Sequence, residues 1–193
     1  MKDGRTEHRS FCSEERYLTR LLAEHGMPVL LHIKPASTIM AYKKQMGDSS
    51  VFTSGLQKIA EEFDCRISVL YENNALLFLM LYQPEKLRTT LKLDKNRQFL
   101  CKYGYQIWQD SIDACIYTLS GRYRRYKEQG EGFPHEIGIL LGYPIEDVEG
   151  FIKNKGENYL FRGCWKVYGN VEQAKKMFEQ IRFAREIGKK ILS

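Results

Sequence analysis

Residues 133–151 read FPHEIGILLGYPIEDVEGF, and this stretch specifies its local structure more densely than any other part of the chain. Pro134 suits the first turn of a helix, where its missing N–H is not needed. Apolar residues then recur at i, i+3 and i+4 spacing, namely Ile137, Leu140 and Leu141. Gly142 can take the left-handed conformation that ends a helix, and Pro144 prevents its continuation. We therefore predict a short helix that ends at Gly142, with positive φ there.

A second helix is predicted from about Ile145. Glu146 and Asp147 lie where the positive end of the helix dipole favours acids, and Gly156 follows as a stop signal. Its apolar stripe consists of Val148, Phe151 and Ile152. The two helices form a helical hairpin near 134–155. We expect this hairpin to pack Leu140, Leu141, Val148 and Phe151 against the segment around Trp165.

The hairpin imitates a DNA-binding helix-turn-helix in the spacing of its glycines and apolar residues. The second helix of such a motif must approach phosphates, whose charge dominates affinity for DNA. Its exposed start here carries the acids Glu146, Asp147 and Glu149. A packed helical hairpin is therefore favoured over a DNA-binding motif.

Length and composition indicate one domain. The 193 residues include 43% hydrophobic and 28% charged side chains, which is ordinary for a globular protein. We expect a flexible tail over residues 1–12 and a single domain over 13–193. No apolar run approaches the roughly 20 residues needed to cross a bilayer, and the N-terminus lacks the apolar core of a signal peptide. The expected location is the cytoplasm.

The cysteines agree with a reducing compartment. They are scattered, odd in number and without a C-x-x-C pair: Cys12, Cys65, Cys101, Cys115 and Cys164. Neither a zinc site nor a disulfide framework is predicted, and most thiols are expected to be buried and reduced. The net charge of +6 permits nucleic acid, an anionic membrane surface or an acidic protein as partner.

The remaining chain predicts an α+β fold. Branched and aromatic residues on either side of Asn73-Asn74 indicate a β-hairpin, whose second strand, 75–82, is apolar enough to be central. The other predicted strands are 38–42 and 159–168. Further helices are predicted from Ser13 to Gly26, from about Ser54 to Phe63, from Pro84, from Asp94, from Gln106 to Lys127, and from Val171 to Ile187. This makes a small, mostly antiparallel sheet of about four strands packed with six or seven helices, including the helical hairpin.

Several runs of sequence recur, in order, in one known group of proteins. They are His25-Gly26-Met27-Pro28, Lys34-Pro35-Ala36-Ser37, Pro134-His135-Glu136-Ile137-Gly138, Leu141-Gly142-Tyr143-Pro144, Asp147-Val148-Glu149-Gly150-Phe151 and Trp165-Lys166-Val167-Tyr168. Over about residues 13 to 185 the chain resembles the clostridial family catalogued as domain of unknown function 3793. The resemblance implies no activity. It implies a small cytoplasmic protein of an anaerobe, from a family associated with flavodoxin and ferrous-iron genes.

Three residues are candidates for catalysis. His135 and Glu136 are adjacent at a helix start, where a histidine could act as base or ligand, but adjacent helical residues point in different directions. No H-E-x-x-H spacing is present, so a capping or packing role is favoured over catalysis or metal binding. Cys164 precedes Trp165, and a nucleophilic thiol there needs a base that only the fold can supply, such as His135 or His25. A packing role is favoured for this cysteine as well.

Basic residues supply the candidate binding surface. Arg122 to Tyr126 interleave arginines and tyrosines, as RNA-binding surfaces do, but on a helix Tyr123 falls on the apolar face and the arginines on the opposite, solvated one. The final helix adds further cations. The candidate binding residues are Lys175, Lys176, Arg182, Arg122, Arg125, Trp165 and Tyr143.

Three functions follow, in order of preference. The first is a non-enzymatic binding protein with a basic face for an acidic partner, such as a flavodoxin-like redox protein. The second is an enzyme or small-cofactor protein with a pocket between the hairpin of His135 and the strand of Trp165. The third is a nucleic-acid-binding module. No G-x-G-x-x-G or P-loop is present, and the sequence specifies no cofactor.

Overall fold

A three-stranded antiparallel sheet forms the centre of the fold in the computed structural model, which describes residues 13–106 and 111–191. Its strands are β1 (Ala36–Tyr42), β2 (Arg66–Glu72) and β3 (Leu76–Tyr82). β3 lies between the other two. The β2–β3 hairpin turns where it was predicted, because Asn73 Oδ1 accepts hydrogen bonds from the backbone N–H groups of Ala75 and Leu76, at 2.8 and 2.9 Å.

Successive side chains of β3 enter two different hydrophobic cores. Leu77, Leu79 and Leu81 belong to the α4 core, named for helix α4 (Ser49–Glu62), which contributes Phe52, Leu56 and Ala60 to it. Phe78, Met80 and Tyr82 belong to the α7 core, named for helix α7 (Ile112–Gln129), which contributes Cys115, Leu119 and Tyr123 to it. The continuous apolar run is therefore buried on both faces, as expected for a central strand.

The α4 core is covered by helices from both ends of the chain. These are α1 (Ser13–Leu21), a π-helical turn (Leu22–Gly26), α2 (Met27–Leu30), α3 (Lys43–Met46), α4 (Ser49–Glu62) and the final helix, α10 (Val171–Ile191). The predicted end of the first helix at Gly26 is wrong, since the helical path continues to Leu30. Pro28 lies in the first turn of α2, directly after the π-helical turn, and the first turn of a helix is where proline is tolerated. α4 begins earlier than predicted because Asp48 caps it, accepting from the N–H groups of Ser50 and Val51.

The opposite face of the sheet is covered by the middle of the chain. Its helices are α5 (Pro84–Lys92), α6 (Asp94–Cys101), α7 (Ile112–Gln129), α8 (Ile137–Leu140) and α9 (Ile145–Lys153). α7 does not begin at Gln106 as predicted, because Ser111 is its N-cap and accepts from Ala114 N–H at 3.1 Å. Residues 107–110 lie outside the described part of the chain, as does the expected tail, 1–12.

The helical hairpin is formed by α8 and α9, which pack against each other. Gly142 has φ +79°, as predicted. A Cβ atom at Gly138 would lie 2.8 Å from Val148 Cγ2, so the two helices approach closely at this glycine. Leu140 and Leu141 pack in the α7 core rather than against the Trp165 segment. The expected packing partner of these two leucines is therefore wrong, because α8 packs against α5.

The predicted strand 159–168 is a small hairpin rather than one strand. β4 (Phe161–Arg162) pairs antiparallel with β5 (Lys166–Val167), and Gly163 N–H donates to the carbonyl of Trp165 at 3.0 Å to close the turn. The described chain thus has separate three- and two-stranded sheets in place of one sheet of four. The α+β class with antiparallel pairing is confirmed. Among the described residues, no helix is both long enough and apolar enough to span a membrane.

Candidate functional site

A cavity of about 360 Å³ lies between the helical hairpin and the β4–β5 hairpin. This is the region singled out by the second functional hypothesis. We call it the larger cavity because it exceeds the neighbouring cavity, described below, that shares part of its lining. Its lining includes the aromatic or thiol side chains Phe133, His135, Tyr143, Phe151, Cys164 and Trp165. Of the candidate site residues, His135, Tyr143, Cys164 and Trp165 therefore come together.

Stacked aromatic rings form one wall of the larger cavity. The Tyr143 and Trp165 rings stack with centroids 4.6 Å apart and an interplanar angle of 23°. Phe178 from α10 meets Trp165 edge-on, with centroids 4.4 Å apart and an angle of 80°. Both geometries are favourable for aromatic pairs, so the indole is held by neighbours from two different elements.

Asp147 fixes this wall to α9. Its Oδ2 accepts a hydrogen bond from Trp165 Nε1 at 2.7 Å, and its Oδ1 accepts from the backbone N–H groups of Tyr168 and Gly169 at 2.7 and 2.9 Å. Asp147 is 3% exposed, and the three hydrogen-bond donors offset the free-energy cost of burying its carboxylate. Sequence analysis placed Asp147 only at a helix start, because its partners are about twenty residues further along the chain.

His135 forms part of an aromatic ladder at the rim of the larger cavity. Its ring lies between Phe133 and Phe151, with centroids 5.1 and 5.0 Å away. Partial burial lowers the pKa of His135, while the charge of Glu136 opposes the shift. The imidazole is therefore neutral at neutral pH and can offer a nitrogen lone pair to a ligand.

Glu136 points away from the cavity into the protein. It is 1% exposed, forms an ion pair with Arg122 Nε, and accepts a hydrogen bond from Tyr105 Oη at 3.3 Å. Burial, followed by the charge of Glu136, raises the pKa of Tyr105. The expectation that all three arginines of the Arg122 run face solvent is wrong for Arg122, which turns inward to neutralise this carboxylate. Glu136 and His135 thus form no acid–base pair.

Cys164 lies at the turn of the β4–β5 hairpin and is exposed. Among the described residues, no hydrogen bond joins it to His135, although both line the larger cavity. The expectation of burial is wrong for this thiol because a two-residue strand leaves its turn in solvent. Cys65 and Cys115 are buried, which raises the pKa of each thiol to about 11. Cys12 lies outside the described residues.

A smaller cavity of about 140 Å³ adjoins the larger one, and Tyr143 and Cys164 line both. We call it the cationic cavity because its basic lining residues are His25, Lys34 and Arg185. Burial lowers the pKa of Lys34 to about 8, a nearby Cys164 thiolate would raise it, and Arg185 lowers it. Sequence analysis missed Lys34 as a site residue. The available signal in the sequence was the position of Lys34, which follows the apolar run 29–33 and precedes Pro35.

Several of the predicted binding cations are already paired. Arg125 contacts Glu131 and Lys175 contacts Glu172, each at 3.1 Å, in addition to the ion pair of Arg122. Lys176 and Arg182 are exposed on α10. The basic surface is therefore smaller than the charge count implied.

The described residues contain no group of three or more His, Cys, Asp or Glu side chains placed to hold a metal ion. The groups that could hold an organic cofactor are the aromatic wall and the cations of the two cavities. A family model described as "Protein of unknown function (DUF3793)" matches residues 22–193. No curated protein and no solved structure matches the chain.

Proposed function

Because this chain belongs to the DUF3793 family, whose description names no activity, we propose a function from its own residues: it binds a small, planar organic molecule in the larger cavity. The observation that carries this proposal is the stacked Tyr143–Trp165 wall beside about 360 Å³ of space. That volume falls within the range of roughly 300–1,000 Å³ typical of small-molecule sites. Aromatic walls favour flat, apolar ligands, which gain from both burial and stacking.

Polar side chains at the rim supply orientation. His135, Arg162 and Lys166 line the larger cavity together with its aromatic residues. The Lys166 ammonium donates to the Gly156 carbonyl at 2.5 Å, and Arg162 is exposed. A few polar groups around an apolar space are the usual arrangement of a specific ligand site.

Binding is favoured over catalysis. Acid–base catalysis by His135 and Glu136 together would require both side chains to reach one substrate, and Glu136 is held away by Arg122 and Tyr105. His135 and Cys164 remain the two side chains that could react with a bound molecule, since both line the larger cavity. His135 and Cys164 are therefore proposed to contact the ligand without reacting with it.

A fluorescence titration tests the proposal. Trp165 and Trp108 are the two tryptophans of the sequence, so a Trp108→Phe variant leaves Trp165 as the only indole emitter. Planar probes such as naphthalene-2-carboxylate and riboflavin should change its emission saturably. Trp165→Leu should abolish binding measured by calorimetry, whereas Tyr117→Leu, at an exposed aromatic position outside the cavity, should not. Unsaturable responses, or equal binding by both leucine variants, would contradict the proposal.

An acidic protein partner is the second candidate. Phe183 on α10 is 62% exposed, and Lys176 and Arg182 are exposed on the same helix. An apolar side chain among cations suits a partner that is acidic around an apolar contact. Reversing Lys175, Lys176 and Arg182 to Glu should slow association with an acidic protein such as a flavodoxin, and added salt should do the same. An association rate that is unaffected by the charge reversals and by added salt would contradict this candidate function.

A further inference from the structure

The cationic cavity has an unusual chemical composition. Its lining combines the three basic side chains with the hydroxyls of Ser37, Thr38 and Tyr143, and none of the described residues that line it is an acid. Every one of these groups can donate a hydrogen bond to an anion. The elements that bring them together are the π turn, the start of β1, the turn after α8, and α10.

The positive charge in this cavity is poorly compensated. Among the described residues, neither Lys34 nor Arg185 forms an ion pair, and His25 has only Glu24, at 3.8 Å, outside the lining. Lys34 has the Tyr143 ring as its neighbour, with Nζ 5.2 Å from the ring centroid. Burying the Lys34 ammonium without a counter-charge is costly. Burial lowers the pKa of both Lys34 and His25, and the exposed Arg185 lowers each pKa further. A bound anion would relieve each of these effects.

The position of Tyr143 connects this charge to the larger cavity. Its ring stacks on Trp165 and also lies beneath the Lys34 ammonium. The Lys34 ammonium therefore lies 5.2 Å from the centroid of one ring of the aromatic wall. A planar molecule in the larger cavity that carries a short acidic substituent can place that substituent among the cations.

We infer that the cationic cavity binds the acidic group, a carboxylate or a phosphate, of the ligand whose planar part occupies the larger cavity. The inference rests on the proposed function and names its ligand class, an aromatic anion. Arg185 can grip two oxygens of such a group with its planar guanidinium, and Lys34 adds a second charge. Ser37 and Thr38 supply neutral donors that complete the shell.

A matched pair of probes tests the charge requirement directly. Naphthalene-2-carboxylate and its neutral amide, 2-naphthamide, have the same ring and nearly the same shape. Calorimetry at pH 7 should give at least about tenfold tighter binding of the carboxylate, the amount that one additional charge-assisted hydrogen bond contributes. Lys34→Met and Arg185→Met should each remove most of that preference. Lys58→Met, an exposed lysine of α4 outside both cavities, should retain it.

Inorganic phosphate separates this inference from the proposed function. If phosphate raises the Tm of the wild type and of Trp165→Leu but not that of Lys34→Met, the anion site is supported. This holds even if neither naphthalene probe binds. Equal affinity for the carboxylate and the amide overturns the inference and leaves the proposed function standing. A carboxylate preference that survives in both methionine variants overturns it as well. If phosphate and both naphthalene probes fail to bind, the inference falls, and if riboflavin fails as well, the proposed function falls with it.

Discussion

At Gly142 a single residue carries both a backbone and a packing constraint. Its φ is +79°, and a Cβ atom there would lie 2.6 Å from Pro35 Cδ. Gly142→Val should therefore lower the free energy of unfolding by at least about 1 kcal/mol from the left-handed backbone alone, with the Pro35 clash in addition. Thermal melts of the variant and the wild type measure the sum.

Gly130 provides the matched control for this prediction. Its φ is +73°, yet a Cβ atom there would meet no atom of the described residues within 4 Å. Gly130→Val then isolates the backbone contribution, and the difference between the two variants reports the contact with Pro35. His135→Ala should cost less than Gly142→Val because His135 is exposed. A neutral Gly142→Val beside a collapsing His135→Ala would instead make the histidine the structural centre of the hairpin.

Lys34 should impose its own pH dependence on stability. Its pKa falls from an ordinary 10.5 to about 8 in the folded protein, chiefly through burial. Between those values the unfolded chain binds more protons than the folded one, so folding becomes more favourable as pH rises. The penalty for the charged Lys34 is fully present below pH 8 and disappears towards pH 10.5.

Urea denaturation of the wild type and Lys34→Met at several pH values between 7 and 10.5 isolates this effect. Other titrating groups are common to both proteins, so the difference in unfolding free energy reports Lys34. The wild type should gain stability relative to the variant as pH rises through this window. A pH-independent difference would mean that Lys34 titrates in the same way in both states. Lys58→Met supplies the control, since Lys58 is exposed.

At the scale of the elements, Asp147 couples α9 to the β4–β5 hairpin. Asp147→Asn keeps the shape but replaces one carboxylate oxygen with a donor, so either Trp165 Nε1 or the backbone N–H groups of Tyr168 and Gly169 lose their acceptor. An unsatisfied buried donor costs about 1–3 kcal/mol. We expect that loss in global stability, with faster amide hydrogen exchange at Tyr168 and Gly169.

Glu149→Gln is the control for this change because Glu149 is an exposed acid on the same helix. It alters the charge of α9 by the same amount and should leave hydrogen exchange in the β4–β5 hairpin unchanged. If the two variants behave alike, Asp147 acts through the helix dipole and the hairpin is held by its aromatic contacts. Ligand affinity at the Trp165 wall should fall with Asp147→Asn for the same reason.

At the scale of the whole molecule, β3 makes the two cores interdependent. Leu79 and Met80 are adjacent, both are 0% exposed, and they enter the α4 core and the α7 core respectively. Replacing either with Ala should cost about 2–5 kcal/mol through the cavity left behind. Because both cores share this strand, each variant should weaken the whole fold.

Two buried thiols report the cores separately. Cys65 lies in the α4 core and Cys115 in the α7 core, and both should resist thiol reagents until the protein opens. Leu79→Ala and Met80→Ala should each accelerate labelling of both cysteines by similar factors. Acceleration confined to the cysteine of the altered core would show that the two halves open independently.

Sequence patterns predicted correctly those features that depend on interactions between residues close together in the chain. The Asn73 turn follows from a side chain that bonds backbone groups two and three residues away, and the positive φ of Gly142 follows from the adjacent Tyr-Pro. The buried central strand follows from an unbroken apolar run at 76–82. Each of these features is decided within about four residues.

The remaining features depended on partners that lie far along the chain. Whether the helix stops at Pro28, whether 159–168 forms one strand or two, and whether Glu136 faces solvent all change with the packing around them. Glu136 turns inward because Arg122 and Tyr105 are there to satisfy it, and the two cavities exist because α10 returns to the β4–β5 hairpin and Lys34. The sequence by itself determined the elements and the hairpin. Only the tertiary structure decided the site, since a buried charge or a cavity is defined by contacts across the fold.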